Sequence, residues 1–264
     1  MRQAVHAEWT KLRTAAGTGW LLLAAAVLTI TVGAAVAGAF SCSPARGGCL
    51  QTAGADPARI ALTGIYLGQA VIAVLGVMVI GEEYGTGMIR VTLAAMPRRL
   101  PVLAAKALTV TGAALAAGAV AVAGSLLAGR LILPGRGLTT ANGFVPLSLA
   151  NGPDLRAALG TVLYLVLIGL LALGVATAVR DSAAGIGLVL GLLYLFPILT
   201  AVVPDQVLAR HLEQVSPMTA GLFIEATVGV RSLPLTPWQG LGVTALWAAG
   251  ALLLGGAVLR LRDA

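Results

Sequence analysis

Glu82 and Glu83 are adjacent, and the apolar stretch Thr86–Met96 separates them from Pro97, Arg98 and Arg99, all within Gly81–Lys106. Neighbouring carboxylates can share a proton, hold a cation or pair with basic groups. Catalysis or metal binding would need further groups within reach. The only two histidines, His6 and His211, fall on opposite sides of the membrane in the topology below, so they cannot share a metal, and no nucleophile has a base at a useful spacing. The pattern therefore points to contact chemistry rather than catalysis, and no metal site is expected. As a helix, Thr86–Met96 places Thr86, Ile89, Leu93 and Met96 on one face and Met88, Val91 and Ala95 on the other. One face can pack on the body of the protein while the other enters a partner's groove; the alternative is a plain extension of the preceding apolar helix resting on headgroups. Both acids are expected at the surface, where an ion pair contributes about 0–1 kcal/mol.

The elements positioning these residues are apolar helices. With 58% hydrophobic and 10% charged residues in 264, the chain lies far from the globular average. Six runs approach or exceed the length of about 20 residues that a bilayer core requires: Thr18–Phe40, Ile60–Ile80, Val102–Leu133, Leu155–Val179, Ala183–Val203 and Trp238–Leu259. They predict an all-α polytopic membrane protein with one domain over residues 1–264 and no repeat. The third run is long enough to tilt or project beyond the bilayer. Residues 1–17 read as an amphipathic lead-in. Val5, Trp9 and Leu12 share an apolar stripe beside the Glu8/Lys11 pair, which suits a helix lying in the membrane interface; the alternative is that it simply begins the first span. The first run is too long for a signal-peptide core and is read as a retained helix.

Ten of the 17 basic residues fall in the termini and short loops on one side: Arg2, Lys11, Arg13, Arg90, Arg98, Arg99, Lys106, Arg180, Arg260 and Arg262. That bias places both termini in the cytoplasm of a plasma-membrane protein. Cys42 and Cys49, the only cysteines, share the first outer loop and could close a small disulfide ring there, unpaired loop thiols being the alternative. The net charge of +7 gathers at helix ends and suits anionic headgroups rather than nucleic acid.

The second outer loop, Pro134–Pro153, reads as irregular, and the third, Pro204–Pro237, as short helices around Ser216–Pro217. Asp181 or Ser182 is placed to cap the fifth span. Gly187/Gly191 and Ala251/Gly255 offer close-packing stripes. Tyr66 and Gln69 in the second span either line a cavity or hydrogen-bond between helices. No charged residue lies centrally in any span, as an ion-coupled carrier would usually need, and no P-loop GK[ST] exists. ATP-driven work would need another chain.

The lead-in residues Glu8–Arg13, the segment EEYGTGMIRVTLAAMPRR with Lys106 beyond it, and the six-helix plan with short helices before the last span together resemble the membrane subunits of ABC-2 type ABC transporters. The resemblance implies a permease dimer served by two copies of an ATPase chain, which would carry the ATP and Mg. This chain itself would be neither an enzyme nor a cofactor binder. It implies a coupling element made by Glu82, Glu83, Tyr84, Gly85, Thr86, Ile89, Arg90, Leu93, Pro97, Arg98 and Arg99. It also implies a substrate path involving Tyr66, Gln69 and Tyr194. The function expected is export of an apolar or amphipathic substrate such as a drug-like metabolite, lipid or peptide; the alternatives are a non-transporting scaffold or immunity protein on this fold, and a secondary carrier.

Overall fold

The computed structural model describes residues 8–11, 16–40, 55–89, 91 and 99–261. Among these the chain is helical without strands: α1 Ala16–Ala39, α2 Pro57–Leu62, α3 Ile65–Gly85, α4 Arg99–Ile132, α5 Gly152–Val179, α6 Ser182–Val202, α7 Gln206–Val215, α8 Pro217–Leu222 and α9 Pro237–Leu261. Helices α1, α3, α4, α5, α6 and α9 are long and apolar enough to cross a membrane, the build of a multi-pass membrane protein. Cys42, Cys49, Val5 and Leu12 lie outside the described residues.

Several boundaries move from those expected. The second span begins at Ile65 instead of Ile60, because Asp56 caps a separate short helix, α2, and Thr63–Gly64 interrupts the path into α3. Asp56 Oδ1 accepts from the Ala58 and Arg59 amides at 3.0 and 3.4 Å, and Pro57 is preset for a first turn. Helix α4 has 34 residues, about 51 Å at 1.5 Å per residue. The loop between α4 and α5 is more regular than its composition suggests: Pro134–Arg136 and Thr140–Asn142 form 3-10 turns. At the α5–α6 turn Asp181, not Ser182, is the cap, accepting from Ala184 N at 2.7 Å.

Helices α3 and α5 form the centre, and α6 is the most peripheral span, with only Gly185, Val189 and Leu193 buried among its residues. Lipid and leucine are equally apolar, so close backbone packing has to supply what the hydrophobic effect does not. The Ala251/Gly255 stripe does this: a Cβ placed at Gly255 would fall 2.6 Å from the carbonyl oxygen of Gly174 on α5. The Gly187/Gly191 stripe does not, as both glycines face open space.

The segment between α6 and α9 folds as two helices with a 3-10 turn, Phe223–Glu225, behind them. Ser216 Oγ caps α8 by accepting from Thr219 N at 3.2 Å. Trp247 Nε1 donates to Val215 O at 2.9 Å and Thr244 Oγ1 to Pro217 O at 2.8 Å, which ties the α7–α8 corner to α9. Helix α7 buries none of its residues and exposes Val207 and Leu208. Its polar and apolar faces suit a membrane interface.

Candidate functional site

The chain concentrates its buried charge where α3 ends and α4 begins. Lys106 lies two turns into α4 and is fully buried. Its Nζ donates to Glu8 Oε2 at 2.9 Å, to Glu83 Oε1 at 2.8 Å and to the Val79 carbonyl at 3.1 Å. All three ammonium hydrogens are thereby used. Lys11 Nζ completes a quartet, donating to Glu83 Oε1 at 2.8 Å and Glu8 Oε1 at 3.2 Å. Partial burial disfavours the Lys11 charge, but its bonds to Glu83 and the nearby Glu8 and Glu83 carboxylates outweigh that and hold it above the usual lysine value. Two carboxylates face two ammonium groups, so the cluster is neutral overall. Taking such charges out of water costs several kcal/mol per ion, and only good geometry with full hydrogen bonding repays it. The quartet supplies both and joins the lead-in, α3 and α4.

Glu83 is thus no surface acid. It is 6% exposed, which overturns the expectation that both acids sit in water, because Lys106 draws its carboxylate inward. Its Oε2 is buried without a hydrogen-bond partner. Glu82, one step round the helix, is exposed and makes no ion pair among the described residues.

The rest of the expected contact segment divides by face. Helix α3 stops after Gly85; Thr86 Oγ1 donates back to Glu82 O at 2.7 Å, and Gly87 takes φ 71°, the left-handed conformation that ends helices. Beyond the turn Ile89 is buried at 4% exposure, while Met88 and Val91 stand out at 47% and 71%. Arg90, Leu93, Pro97 and Arg98 lie outside the described residues. Arg99 Nη1 donates to Leu259 O at 2.8 Å and Arg180 Nη2 to Val258 O at 3.1 Å. Both guanidinium groups therefore bind the last turn of α9, whose carbonyls lack intrahelical donors. The Arg180 guanidinium also stacks over Tyr84, 5.9 Å from the ring centre. Trp9, of the expected interfacial stripe, is half exposed.

A second polar assembly occupies the other half of the bundle. Gln69 on α3 is fully buried. Its Nε2 donates to Tyr66 O at 3.3 Å and lies 3.1 Å from Met218 Sδ and 3.5 Å from Tyr194 OH, while Tyr164 OH donates to its Oε1. Tyr194 OH donates to the Tyr66 carbonyl. The three residues of the expected path are brought together, with Gln69 acting as a tie between α3, α5, α6 and α8.

Two acids at that end escaped sequence reasoning. Asp56 binds the segment between α8 and α9 as well as capping α2: it accepts from Thr227 N, from Thr227 Oγ1 at 2.7 Å and from Val228 N at 3.0 Å. Glu225 is 2% exposed, and its Oε1 has no hydrogen-bond partner. Burial pushes its carboxyl up to about 8; the Arg59 charge opposes this and the Asp56 charge adds to it. The only signal in the sequence is an acid closing the apolar run Gly221–Ile224. Among the described residues no group of three or more His, Cys, Asp or Glu could hold a metal. No protein-family model matches the chain, and no curated protein matches it in sequence.

Proposed function

We propose that this chain is the membrane subunit of an ATP-driven transporter of the ABC-2 type, exporting an apolar or amphipathic substrate while a separate P-loop ATPase hydrolyses ATP. The permease works as a dimer with two ATPase copies in the plasma membrane, both termini cytoplasmic. One observation carries the reading: the neutral quartet of Glu8, Lys11, Glu83 and Lys106 holds the lead-in, α3 and α4 together directly beside a turn that exposes Met88 and Val91. A partner pressing on those two side chains would push on a rigid junction of three segments, and a rigid junction passes displacement to the spans instead of absorbing it. Glu82, unpaired among the described residues, adds a charge for the partner to read. In this reading Met88, Val91 and Glu82 meet the ATPase, and Glu83 and Lys106 position them.

The test is co-expression with P-loop ATPases from the same genome, beginning with any encoded next to this chain. The complex should survive purification, and Met88→Asp with Val91→Asp should abolish it at unchanged permease level, because an unpaired charge in an apolar contact is strongly unfavourable. Substrate-stimulated ATP hydrolysis should fall with it. Intact complex and undiminished transport in the double variant would remove the coupling assignment.

A further inference from the structure

The segment 223–228 is fastened on both sides of Glu225. Ile224 fills the notch left by Gly160 on α5, where an added Cβ would collide with it. The Ala226 carbonyl accepts from Arg156 Nη2 of α5, and Thr227 and Val228 donate to Asp56 at the cap of α2. Between these fastenings stands a carboxyl group that lacks donors. Glu225 is 2% exposed, its Oε1 is buried without a hydrogen-bond partner, and no ion pair among the described residues includes it. The Thr161 hydroxyl stands beside the carboxyl, but its hydrogen goes to the Ala157 carbonyl at 2.7 Å. It is therefore placed to accept from Glu225 and not to donate to it.

The surrounding charges agree. Asp56 takes the donors of this corner, and its own charge disfavours a second one beside it. Arg59 on α2 attracts a negative charge but is exposed. Tyr66 on α3 and Tyr164 and Arg156 on α5 are neutral or engaged, and Asp154 of α5 is held by Ser148 N at 2.9 Å. Helix α8 has no titratable residue, and the one charged residue of α9 is Arg260 in its last turn. An ionised carboxylate here would be desolvated without donors, which is strongly unfavourable; the neutral acid brings the hydrogen that the Thr161 oxygen can accept. Burial accordingly pushes the Glu225 carboxyl up to about 8.

We propose that Glu225 is a proton-operated latch: as the neutral acid it donates to Thr161 and keeps residues 223–228 seated on α5 and α2, and on losing the proton it turns to water and lifts that segment off both. Only the carboxyl O–H bond breaks, and water takes the proton. The latch does not rest on the transport reading and is measured without any ATPase.

The full chain would be placed in phosphatidylcholine nanodiscs and followed by infrared spectroscopy and amide hydrogen exchange across pH. At about pH 6 the wild type should show the carbonyl band of a buried carboxylic acid, and Glu225→Gln should lack it. Thr161→Val removes the acceptor and should shift the band to higher frequency, which decides the protonation state even where the Gln variant fails to fold. With the intrinsic exchange rate divided out, opening of residues 223–228 should rise about tenfold per unit between about pH 6 and about pH 7 and level off above the Glu225 value, because the lifted carboxyl titrates as an ordinary acid. The centre of α4 should show no such rise. Glu225→Gln, which keeps a donor for Thr161, should hold the segment closed throughout. Absence of the band, or a band unchanged by both variants, overturns the proposal. So does opening that follows the intrinsic rate alone, that α4 shares, or that persists in Glu225→Gln.

Discussion

Buried acids at the two ends of the bundle are handled in opposite ways. Where α3 meets α4, Glu8 and Glu83 are matched one for one by Lys11 and Lys106. At the other end Asp56 makes no ion pair among the described residues and is satisfied by four amides, two of them its α2 cap partners, and one hydroxyl, and Glu225 is left with an exposed Arg59 nearby and a raised proton affinity. A carboxyl group removed from water can be paired, surrounded by donors, or neutralised by a proton; this chain uses all three. The quartet matches each acid with a base, whereas the Asp56 end contains a carboxyl, Glu225, whose proton affinity is raised to about 8.

Breaking the quartet should have the largest effect. Lys106→Met preserves length but leaves the two buried carboxylates of Glu8 and Glu83 to Lys11 alone, and losing one partner of such a buried group costs about 3–5 kcal/mol. Thermal unfolding of the purified protein in detergent should show it, and a loss under 1 kcal/mol would mean the quartet is not a structural tie. Asp56→Asn comes next: the amide cannot accept from all of the donors around it, for a cost of about 1–3 kcal/mol on the same assay, with limited proteolysis appearing first in the segment between α8 and α9.

Glu225 sharpens the contrast through pH. Its folded-state value, raised from 4.5 to about 8, means that the native protein holds a proton the unfolded chain releases. Stability should therefore decline as pH rises through that window, by up to about 1.4 kcal/mol per unit of pH. Glu225→Gln should remove this slope relative to wild type; parallel stability curves for the two proteins would show that Glu225 is ionised in the fold. The smallest change belongs to Glu82→Gln, within about 0.5 kcal/mol of wild type, in contrast to its neighbour Glu83.

The spans and their number were legible because hydropathy over about 20 residues is a local property. Caps were legible for the same reason, as at Asp181. What escaped depends on partners far along the chain. Lys106 reads as a basic residue near the end of a span, and its bond to Glu8, 98 residues away, leaves no periodic trace. Glu82 and Glu83 look equivalent in sequence, and only the direction of α3 distinguishes the exposed acid from the buried one. Asp56 stands before Pro57 with no local sign of its grip on Thr227 and Val228, which follows from a loop 171 residues further on. Gly187/Gly191 and Ala251/Gly255 show the limit of motif reading, since the same spacing is packed against α5 in one helix and faces open space in the other.

The hold of Arg99 and Arg180 on the last turn of α9 carries a consequence for the order of assembly. Translation delivers α4 and the α5–α6 hairpin to the membrane before α9 exists, so the bonds from both guanidinium groups to the Val258 and Leu259 carbonyls must wait for that helix. These contacts can form only once the last span is inserted, and they then join two earlier turns to it in a single event. Nascent chains halted before Pro237 should leave a cysteine placed at Arg180 open to a soluble thiol reagent, and chains extended past Leu261 should shield it.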